Sequence, residues 1–232
     1  MGSRKAELYN FVNKIHNNFG IEYCSFPINS IAICKNYADI QYHPFHTKGL
    51  CAAVLLGNKN DTVILNSNRT PVEQNFDCGH ELIHMTKHRN LGLDSFSCMD
   101  LKTKRNSSIG YYEWEANEGS AQFLIPHYAL LPDIKKAQPF LRTSHDYKSL
   151  KCDLAEKYDV TDAVIMFRLE SLKYEIQQYL EGIPLRDIRL LSKKQQSTIG
   201  LDVKSLNDIE NELLYSEYHI YICNTKVIDV YK

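Results

Sequence analysis

The sequence is organised around the pentapeptide His80-Glu81-Leu82-Ile83-His84. On an α-helix, residues four positions apart lie on the same face and about 6 Å apart along the axis, so two imidazoles at this spacing can bind one metal ion. The glutamate beside the first histidine projects close to the same ion without having to bind it. This is the arrangement of a zinc peptidase, two metal ligands beside a general base. The motif therefore predicts a zinc site with Glu81 as the base.

A helix start is encoded just upstream of the motif. Thr70 is a suitable N-cap, Pro71 stands where its missing N–H costs nothing, and Glu73 completes a capping box. The two histidines therefore fall inside a helix that begins after Thr70 and continues to about residue 89. The alternative to a metal site is a pair of partly buried histidines on an ordinary amphipathic helix.

Composition excludes several classes of protein. The 232 residues are 44% hydrophobic and 24% charged, which suits one compact soluble unit or a domain with a small appendage. A net charge of -1 gives no reason to expect a general binder of nucleic acid or membrane surfaces. No apolar run approaches the length of a membrane span, and the N-terminus lacks the apolar core of a signal peptide. We therefore expect a cytoplasmic protein without a membrane partner.

The seven cysteines form an odd set without Cys-x-x-Cys spacing. This pattern favours buried, reduced thiols in a cytoplasmic protein over a disulfide framework. A structural zinc site built from cysteines is not expected.

Hydrophobic patterning predicts a small sheet in front of the motif helix. The expected elements are a helix over residues 4–19, one or two helical turns within 27–34, a strand over 40–43, and a hairpin of strands 50–56 and 62–66 around a turn at 57–61. A sheet followed directly by such a helix forms the wall of the substrate cleft in several metallopeptidases. Residues 91–110 lack periodicity and are interpreted as a loop or short elements beside that cleft.

Three histidines upstream of the motif are not expected to bind the metal. His16 lies on the first helix and is interpreted as a surface residue. His43 and His46 lie near the hairpin, but the motif helix supplies its own pair of ligands.

His88, four residues after the motif, is also rejected as a ligand. On a straight helix it would sit about 12 Å from His80 along the axis, too far to share one ion. The metzincin arrangement bends the chain at a glycine and adds a histidine six residues after the second. Those positions are Lys87 and Asn90, so that subclass is excluded.

A second motif lies on a helix predicted from residue 111 to residue 125. Its Glu113 and Asn117 are four residues apart and share a face. A carboxylate as third zinc ligand, with a polar group one turn later to hold a ligand histidine, is what the histidine pair still needs. Glu115 and Glu118 point away from Glu113 and are interpreted as solvated charges. The alternative for Glu113 is an exposed glutamate at a helix start.

Together these motifs resemble the ImmA/IrrE family of metallopeptidases. The shared features are Phe76-x-x-x-His80-Glu81-x-x-His84, then Glu113-x-Glu115-Ala116-Asn117, a closing Leu124-Ile125-Pro126, and a preceding hairpin that ends in Leu65-Asn66. The resemblance covers residues 1–135 clearly and residues 136–180 loosely. It implies zinc ligands at His80, His84 and Glu113, a catalytic base at Glu81, and a contact from Asn117 that holds a ligand.

The resemblance also implies a protein substrate. That substrate is a helix-turn-helix repressor, cut to derepress genes of a mobile element or a stress response. The alternative is a non-proteolytic anti-repressor or sensor that docks a transcription regulator. A pure binder has no need of Glu81, so its presence favours catalysis.

The chain departs from the family pattern at two positions. Ile83 stands where a glycine is frequent, and Gly119 replaces a usual aromatic residue, which weakens that helix by about 1 kcal/mol. Neither residue is an expected ligand, so the departures bear on local packing and leave the chemistry intact.

Residues 148–179 carry two helical segments joined near residue 160, in a pattern similar to a helix-turn-helix. A DNA reader would present basic residues there. Between residues 148 and 175, five Lys and Arg residues face six Asp and Glu residues. We therefore expect this segment to pack against the catalytic domain and do not expect it to bind DNA.

The chain becomes polar after residue 182. Residues 193–197 are interpreted as a linker, followed by a short helix over 203–215 and a terminal hairpin of 218–222 and 226–231. No catalytic chemistry is found in this region, which could serve as a recognition or docking appendage.

The predicted fold class is α+β. A zinc-peptidase domain of the gluzincin type, with a small β-sheet and helices, is expected over residues 1–135. A helix-turn-helix-like domain over 136–182 and a C-terminal appendage with helix and β-hairpin over 183–232 follow. The sequence does not indicate an oligomeric state.

Overall fold

The computed structural model describes residues 4–21, 26–100 and 110–229, with side-chain detail as far as residue 218. The helices are α1 (Arg4–Asn18), α2 (Ser30–Cys34), α3 (Pro71–Lys87), α4 (Gly110–Leu124), α5 (His127–Ala137), α6 (Ser144–Tyr158), α7 (Asp162–Ser171), α8 (Lys173–Leu180), α9 (Lys193–Thr198) and α10 (Leu206–Asp229). The strands are β1 (Ala38–His43), β2 (Leu50–Leu55), β3 (Asp61–Asn66) and β4 (Ser95–Met99). The fold is α+β, as predicted.

The four strands form one mixed sheet in the order β1-β3-β2-β4. β2 and β3 form the predicted antiparallel hairpin, and β1 pairs with β3 in parallel. Alternate residues of the hairpin, including Val54, Val63 and Leu65, are fully buried, because one face of the sheet packs against α3.

The edge strand β4 was not predicted. It pairs antiparallel with β2, and its five residues alternate between exposed or half-buried and buried positions. A five-residue alternation within a stretch rich in Gly, Asp and Ser is too short to identify a strand by itself. Its pairing with β2 decides its conformation. Residues 101–109, within the predicted loop, lie outside the described residues.

The start of α3 is as predicted. Thr70 accepts a hydrogen bond from the backbone of Glu73, and the Glu73 carboxylate accepts one from the backbone of Thr70, which completes the capping box. From residue 74 to residue 85 every side chain of α3 is buried, since the helix lies between the sheet and α4. The histidine motif is therefore in the interior of the protein.

His16 is buried, and the expectation that it lies on the surface was wrong. Its ring bonds with the Tyr128 hydroxyl at 3.0 Å and with the Phe123 carbonyl at 2.9 Å. Burial lowers the pKa of His16. Amphipathic spacing on α1 could not show that the end of α4 would cover this position.

Glu118 is also buried, and the expectation of a solvated charge was wrong. Its Oε1 accepts hydrogen bonds from Tyr9, from Arg168 at 2.9 Å and from Ser171 at 3.3 Å. Arg168 is itself fully buried, and its Nε donates to the Ile125 carbonyl at 3.0 Å. These five residues, here called the Arg168 cluster, join α1, α4 and α7.

The Arg168 cluster shows that α7 packs against the N-terminal part of the chain. A second buried ion pair, from Lys5 on α1 to Glu175 on α8 at 2.9 Å, ties the next helix to the same surface. The expected packing of residues 148–179 is therefore present. The absence of DNA binding stays a prediction.

The predicted C-terminal hairpin was wrong. Residues 218–229 continue α10, and residues 230–232 lie outside the described residues. Ser205 and Asp208 exchange hydrogen bonds that cap the start of this helix, and no Gly or Pro follows residue 200 to end it. The predicted linker at 193–197 is also helical, because Ser192 and Gln195 form a capping box at the start of α9.

The five cysteines with described side chains are free thiols, in agreement with the prediction. Four of them are buried, and Cys152 is exposed. In the described part of the chain, no helix has the length and apolar character needed to cross a membrane.

Candidate metal centre

Three side chains converge where α3 and α4 pack side by side. His80 and His84 lie one turn apart on α3 with their Nε2 atoms 3.0 Å apart. Glu113, in the first turn of α4, places one carboxylate oxygen 3.6 Å from His80 Nε2 and the other 3.5 Å from His84 Nε2. All three residues are buried. Two imidazole nitrogens and a carboxylate oxygen are the donor set that zinc takes in catalytic sites, so these residues fit a zinc ion.

Asn117 orients the first histidine. Its Oδ1 lies 3.0 Å from His80 Nδ1, and as an acceptor it places the ring proton on that nitrogen. His80 Nε2 is then left with its lone pair directed toward His84 and Glu113. The structure therefore brings Asn117 to the position that the spacing from Glu113 predicted.

The second histidine is oriented by a relay that the sequence analysis missed. His84 Nδ1 lies 2.9 Å from His88 Nδ1, and His88 Nε2 lies 2.9 Å from Glu115 Oε2. With a neutral His88, the Glu115 carboxylate accepts the proton of His88 Nε2, and His88 Nδ1 accepts the proton of His84 Nδ1. This assignment directs the lone pair of His84 Nε2 toward His80 and Glu113, where a metal would bind.

Glu115 is held in place by two further contacts. Lys87 Nζ lies 3.1 Å from its carboxylate, and the Tyr111 hydroxyl donates to it at 2.9 Å. Burial raises the pKa of Glu115, but the hydrogen bonds from His88, Lys87 and Tyr111 outweigh burial and hold this pKa below its ordinary value. The expectation that Glu115 is a solvated charge was wrong. His88 does not belong to the group of converging metal-binding side chains. Its spacing of four residues from His84, continuing that of His80 and His84, was a sequence signal that it contacts the second histidine.

Glu81 stands beside the three converging residues and is fully buried. No described side chain donates a hydrogen bond to either of its carboxylate oxygens, which leaves the backbone of Cys98 as its hydrogen-bonding neighbour. Burial raises its pKa well above the ordinary value, and the neighbouring Glu113 carboxylate raises it further. A buried carboxylate with so few partners is costly when it is charged, and a cation held beside it would lower that cost.

A model of the peptidase M78 family, described as the IrrE N-terminal-like domain, matches residues 19–170. The chain belongs to this family. The match spans the sheet, α3, α4 and α6, and it ends within α7. No curated protein matches the chain. Membership of the M78 family supports a metallopeptidase-like domain.

The two departures of this M78 domain from the family pattern contact each other. A Cβ atom at Gly119 would lie 2.9 Å from Ile83 Cγ1 and 3.0 Å from its Cδ1, closer than side chains normally approach. A residue larger than glycine at position 119 would therefore push α4 away from α3. Ile83 therefore fills the space that the missing side chain of Gly119 leaves between the two helices.

Phe96 on β4 is a further contact of the centre that sequence reasoning missed. Its ring stacks on His84, with centroids 4.2 Å apart and an interplanar angle of 16°. The stacked ring covers one face of the imidazole and fixes its plane. No local pattern marks Phe96, because the contact depends on the pairing of β4 with β2.

Four side chains lie near enough to the second motif in the sequence to be considered as donors to an oxyanion, namely Tyr111, Tyr112, His127 and Tyr128, and each has another partner. Tyr111 donates to Glu115, the Tyr112 ring packs against His88, and His127 packs against Tyr9. Tyr128 bonds with His16. His43 and His46 are exposed and stand apart from the centre, as expected.

Proposed function

We propose that this chain is a zinc-dependent endopeptidase in which His80, His84 and Glu113 hold the metal and Glu81 is the general base. The observation that supports it most is the convergence of three metal-binding atoms beside a buried carboxylate that no described side chain hydrogen bonds. Asn117 and the relay of His88 and Glu115 would keep both histidines in the metal-binding tautomer.

The proposed reaction is hydrolysis of a peptide bond. When bound, zinc supplies Lewis acidity that activates water and polarises the peptide carbonyl. Glu81 accepts a proton from the attacking water at its carboxylate and then passes it to the amine that leaves as the C–N bond breaks. Burial suits Glu81 to this task, because a carboxylate shielded from water has a raised proton affinity.

We further propose that the substrate is a helix-turn-helix repressor, and that its cleavage in the cytoplasm derepresses genes of a mobile element or a stress response. This part of the proposal rests on the family resemblance and on no residue of this chain. The domain's membership of the M78 family is what supports it.

The test compares the wild type with Glu81→Gln. Each zinc-loaded protein is incubated with a peptide library prepared from a whole proteome, and new termini are identified by mass spectrometry. The wild type should produce new termini that disappear with a chelator and return with zinc. Glu81→Gln should retain one zinc per chain and lose cleavage by about 10²- to 10⁴-fold, the usual contribution of a general base.

Glu156→Gln, the same change at an exposed position of α6, is the matched control and should cleave like the wild type. A Glu81→Gln variant with wild-type cleavage would show that Glu81 is not the base. Zinc-loaded wild type that cleaves no peptide would favour the non-proteolytic anti-repressor that docks a transcription regulator.

A further inference from the structure

A second group of metal-binding side chains lies beside the candidate metal centre. It consists of Cys51 on β2, Asp77 on α3 and Cys98 on β4, and the ligand atoms of these three residues all lie within 4.8 Å of one another. Each of the three is at most 2% exposed. None of them belongs to the proposed set of zinc ligands.

A bulge in the sheet brings the two cysteines together. Leu50 pairs with Met99 and Ala52 pairs with Cys98, so Cys51 is the extra residue of β2. In a regular strand consecutive side chains point to opposite faces, whereas Cys51 and Ala52 are both fully buried. The bulge therefore directs the Cys51 thiol toward the same region as the Cys98 thiol.

The third group, Asp77, lies on α3 one turn before His80. Arg69 Nε donates to its Oδ2 at 2.6 Å. Burial raises the pKa of Asp77 to about 7, against the lowering effect of the Arg69 guanidinium. The hydrogen bond with Cys51 and burial raise the pKa of Cys98 well above its ordinary value. Without a cation, the Cys98 thiol therefore keeps its proton.

We propose that Cys51, Asp77 and Cys98 form a second metal site, selective for a thiophilic divalent cation such as Zn²⁺ or Cd²⁺. Binding would release the two thiol protons to solvent and form two metal–sulfur bonds and one metal–oxygen bond. Two thiolates, one carboxylate and a dication carry a net charge of -1, which the adjacent Arg69 neutralises. Soft thiolate ligands select against Mg²⁺ and Ca²⁺.

A cavity adjoins this site. Its volume is about 280 Å³, and its lining includes Asp77 and Cys98 together with Arg69, Asp100 and Asp162. The carboxylates of Asp100 and Asp162 would attract a cation to the opening. The site is thus buried, with two of its three side chains, Asp77 and Cys98, on the wall of this cavity.

The second site would fix the edge strand against the motif helix. Cys98 belongs to β4, which also carries Phe96 against His84, and Asp77 belongs to α3. The Cys98 sulfur also lies within 4.8 Å of ligand atoms of His80 and Glu81. A cation bound there would stabilise the wall of the candidate metal centre without replacing any of its ligands.

The test is titration of metal-free protein with Cd²⁺ in a reductant that contains no thiol. Calorimetry should give two equivalents in the wild type, and the thiolate-to-cadmium charge-transfer band should appear in the ultraviolet. A double variant, Cys51→Ser with Cys98→Ser, should lose this band and bind one equivalent. A second double variant, His84→Ala with Glu113→Ala, should keep the band and also bind one equivalent.

Cys34→Ser is the matched control. Cys34 is a buried thiol that donates to the Cys78 carbonyl at 3.4 Å, and it belongs to no group of three metal-binding side chains in the described residues. This variant should keep the band and both equivalents. Loss of the band in Cys34→Ser and its survival in the Cys51 and Cys98 variant would overturn the proposal.

Two measurements on the wild type need no variant. The ¹¹³Cd spectrum should show two resonances, of which one has the large shift of cadmium bound to sulfur. A single resonance from a site with nitrogen and oxygen ligands would refute the second site. Thiol titration of freshly purified, unfolded protein should find Cys51 and Cys98 reduced, whereas a disulfide between them would assign the pair to redox chemistry instead.

Discussion

Helix α4 contributes carboxylates to two buried clusters that differ in how completely they are hydrogen bonded. In the Arg168 cluster, Glu118 accepts hydrogen bonds from Tyr9, Arg168 and Ser171. At the metal centre, α4 supplies Glu113, and the adjacent Glu81 of α3 accepts no hydrogen bond from a described side chain. Burial is the same in both places, with Glu118 1% and Glu81 0% exposed.

The difference separates a carboxylate that holds the fold from one that is available for chemistry. A buried charge contributes to stability only when its partners replace the lost water, and Glu118 has such partners. Glu81 has no such side-chain partner in the described chain, and the backbone of Cys98 does not replace the lost water, so stability does not explain its presence. The Arg168 cluster should therefore respond to mutation in the free energy of unfolding, and the metal centre in metal affinity and catalysis.

Arg168→Met should have the largest effect on stability. It leaves Glu118 charged and buried without its ion pair, which typically costs about 3–5 kcal/mol in the free energy of unfolding. Urea unfolding measures this loss. Adding Glu118→Gln should recover much of it, because the uncompensated charge is then gone. A loss below about 1 kcal/mol in the single variant would mean that the cluster is not a structural anchor.

Removal of the groups that orient the histidines should weaken metal binding. Asn117→Ala and His88→Ala should each lower zinc affinity by about 10- to 100-fold while the protein stays folded, because the ligand ring loses the contact that sets its tautomer. Competition with a zinc chelator measures the affinity. His46→Ala, at an exposed histidine outside the centre, should bind zinc like the wild type. If both test variants bound zinc with wild-type affinity, neither Asn117 nor the relay of His88 and Glu115 would be needed to orient the ligand histidines.

Gly119→Ala should have an effect whose sign depends on Ile83. In the wild-type background the new methyl group overlaps Ile83, at a cost of about 1–3 kcal/mol that exceeds the helix propensity gained, about 1 kcal/mol. In an Ile83→Ala background the overlap is gone, and the same change should stabilise the protein. Thermal unfolding of the wild type, the two single variants and the double variant measures the effect of Gly119→Ala in both backgrounds. Equal effects in the two backgrounds would show that the residues are not coupled.

The smallest effect that we expect is DNA binding by residues 148–179, which should be no stronger than non-specific binding. α7, all of which the structure describes, contains one basic residue, Arg168, and that residue is fully buried. Phosphate contacts need exposed Lys or Arg side chains, so we expect no affinity beyond ordinary non-specific Kd values of about 10⁻⁴ to 10⁻⁶ M. A gel-shift titration at low salt is the strictest check, because low salt strengthens electrostatic binding and would reveal even a weak interaction. Tighter, sequence-dependent binding that is lost in Lys148→Ala would contradict this prediction.

The sequence by itself determined the elements whose signals lie within one or two turns of the chain. The capping box at Thr70 and Glu73 placed the start of α3, and the four-residue spacings of His80 with His84 and of Glu113 with Asn117 placed each pair on one helix face. These signals are local hydrogen bonds and helical periodicity, which act before any tertiary contact forms. For that reason they could be read without a structure.

Local patterns failed where packing between distant segments decides burial. Glu115 and Glu118 carry charges on an amphipathic-looking helix, yet α3, α1 and α7 cover both of them. The C-terminal alternation around residues 218–231 suited a strand, but the capped helix α10 continues through the described part of it, as far as residue 229. Periodicity reports which residues share a face, and it does not report what covers that face.

Only the tertiary structure brought together the groups that lie far apart in the chain. His88 meets Glu115 because α3 and α4 pack side by side, and Cys51 meets Cys98 because a bulge re-aims one residue of β2 toward β4. Neither pair has a characteristic spacing, since each depends on helix packing or strand register set by the whole core. The sequence could therefore place the metal-binding motif, while the structure decided which side chains surround it.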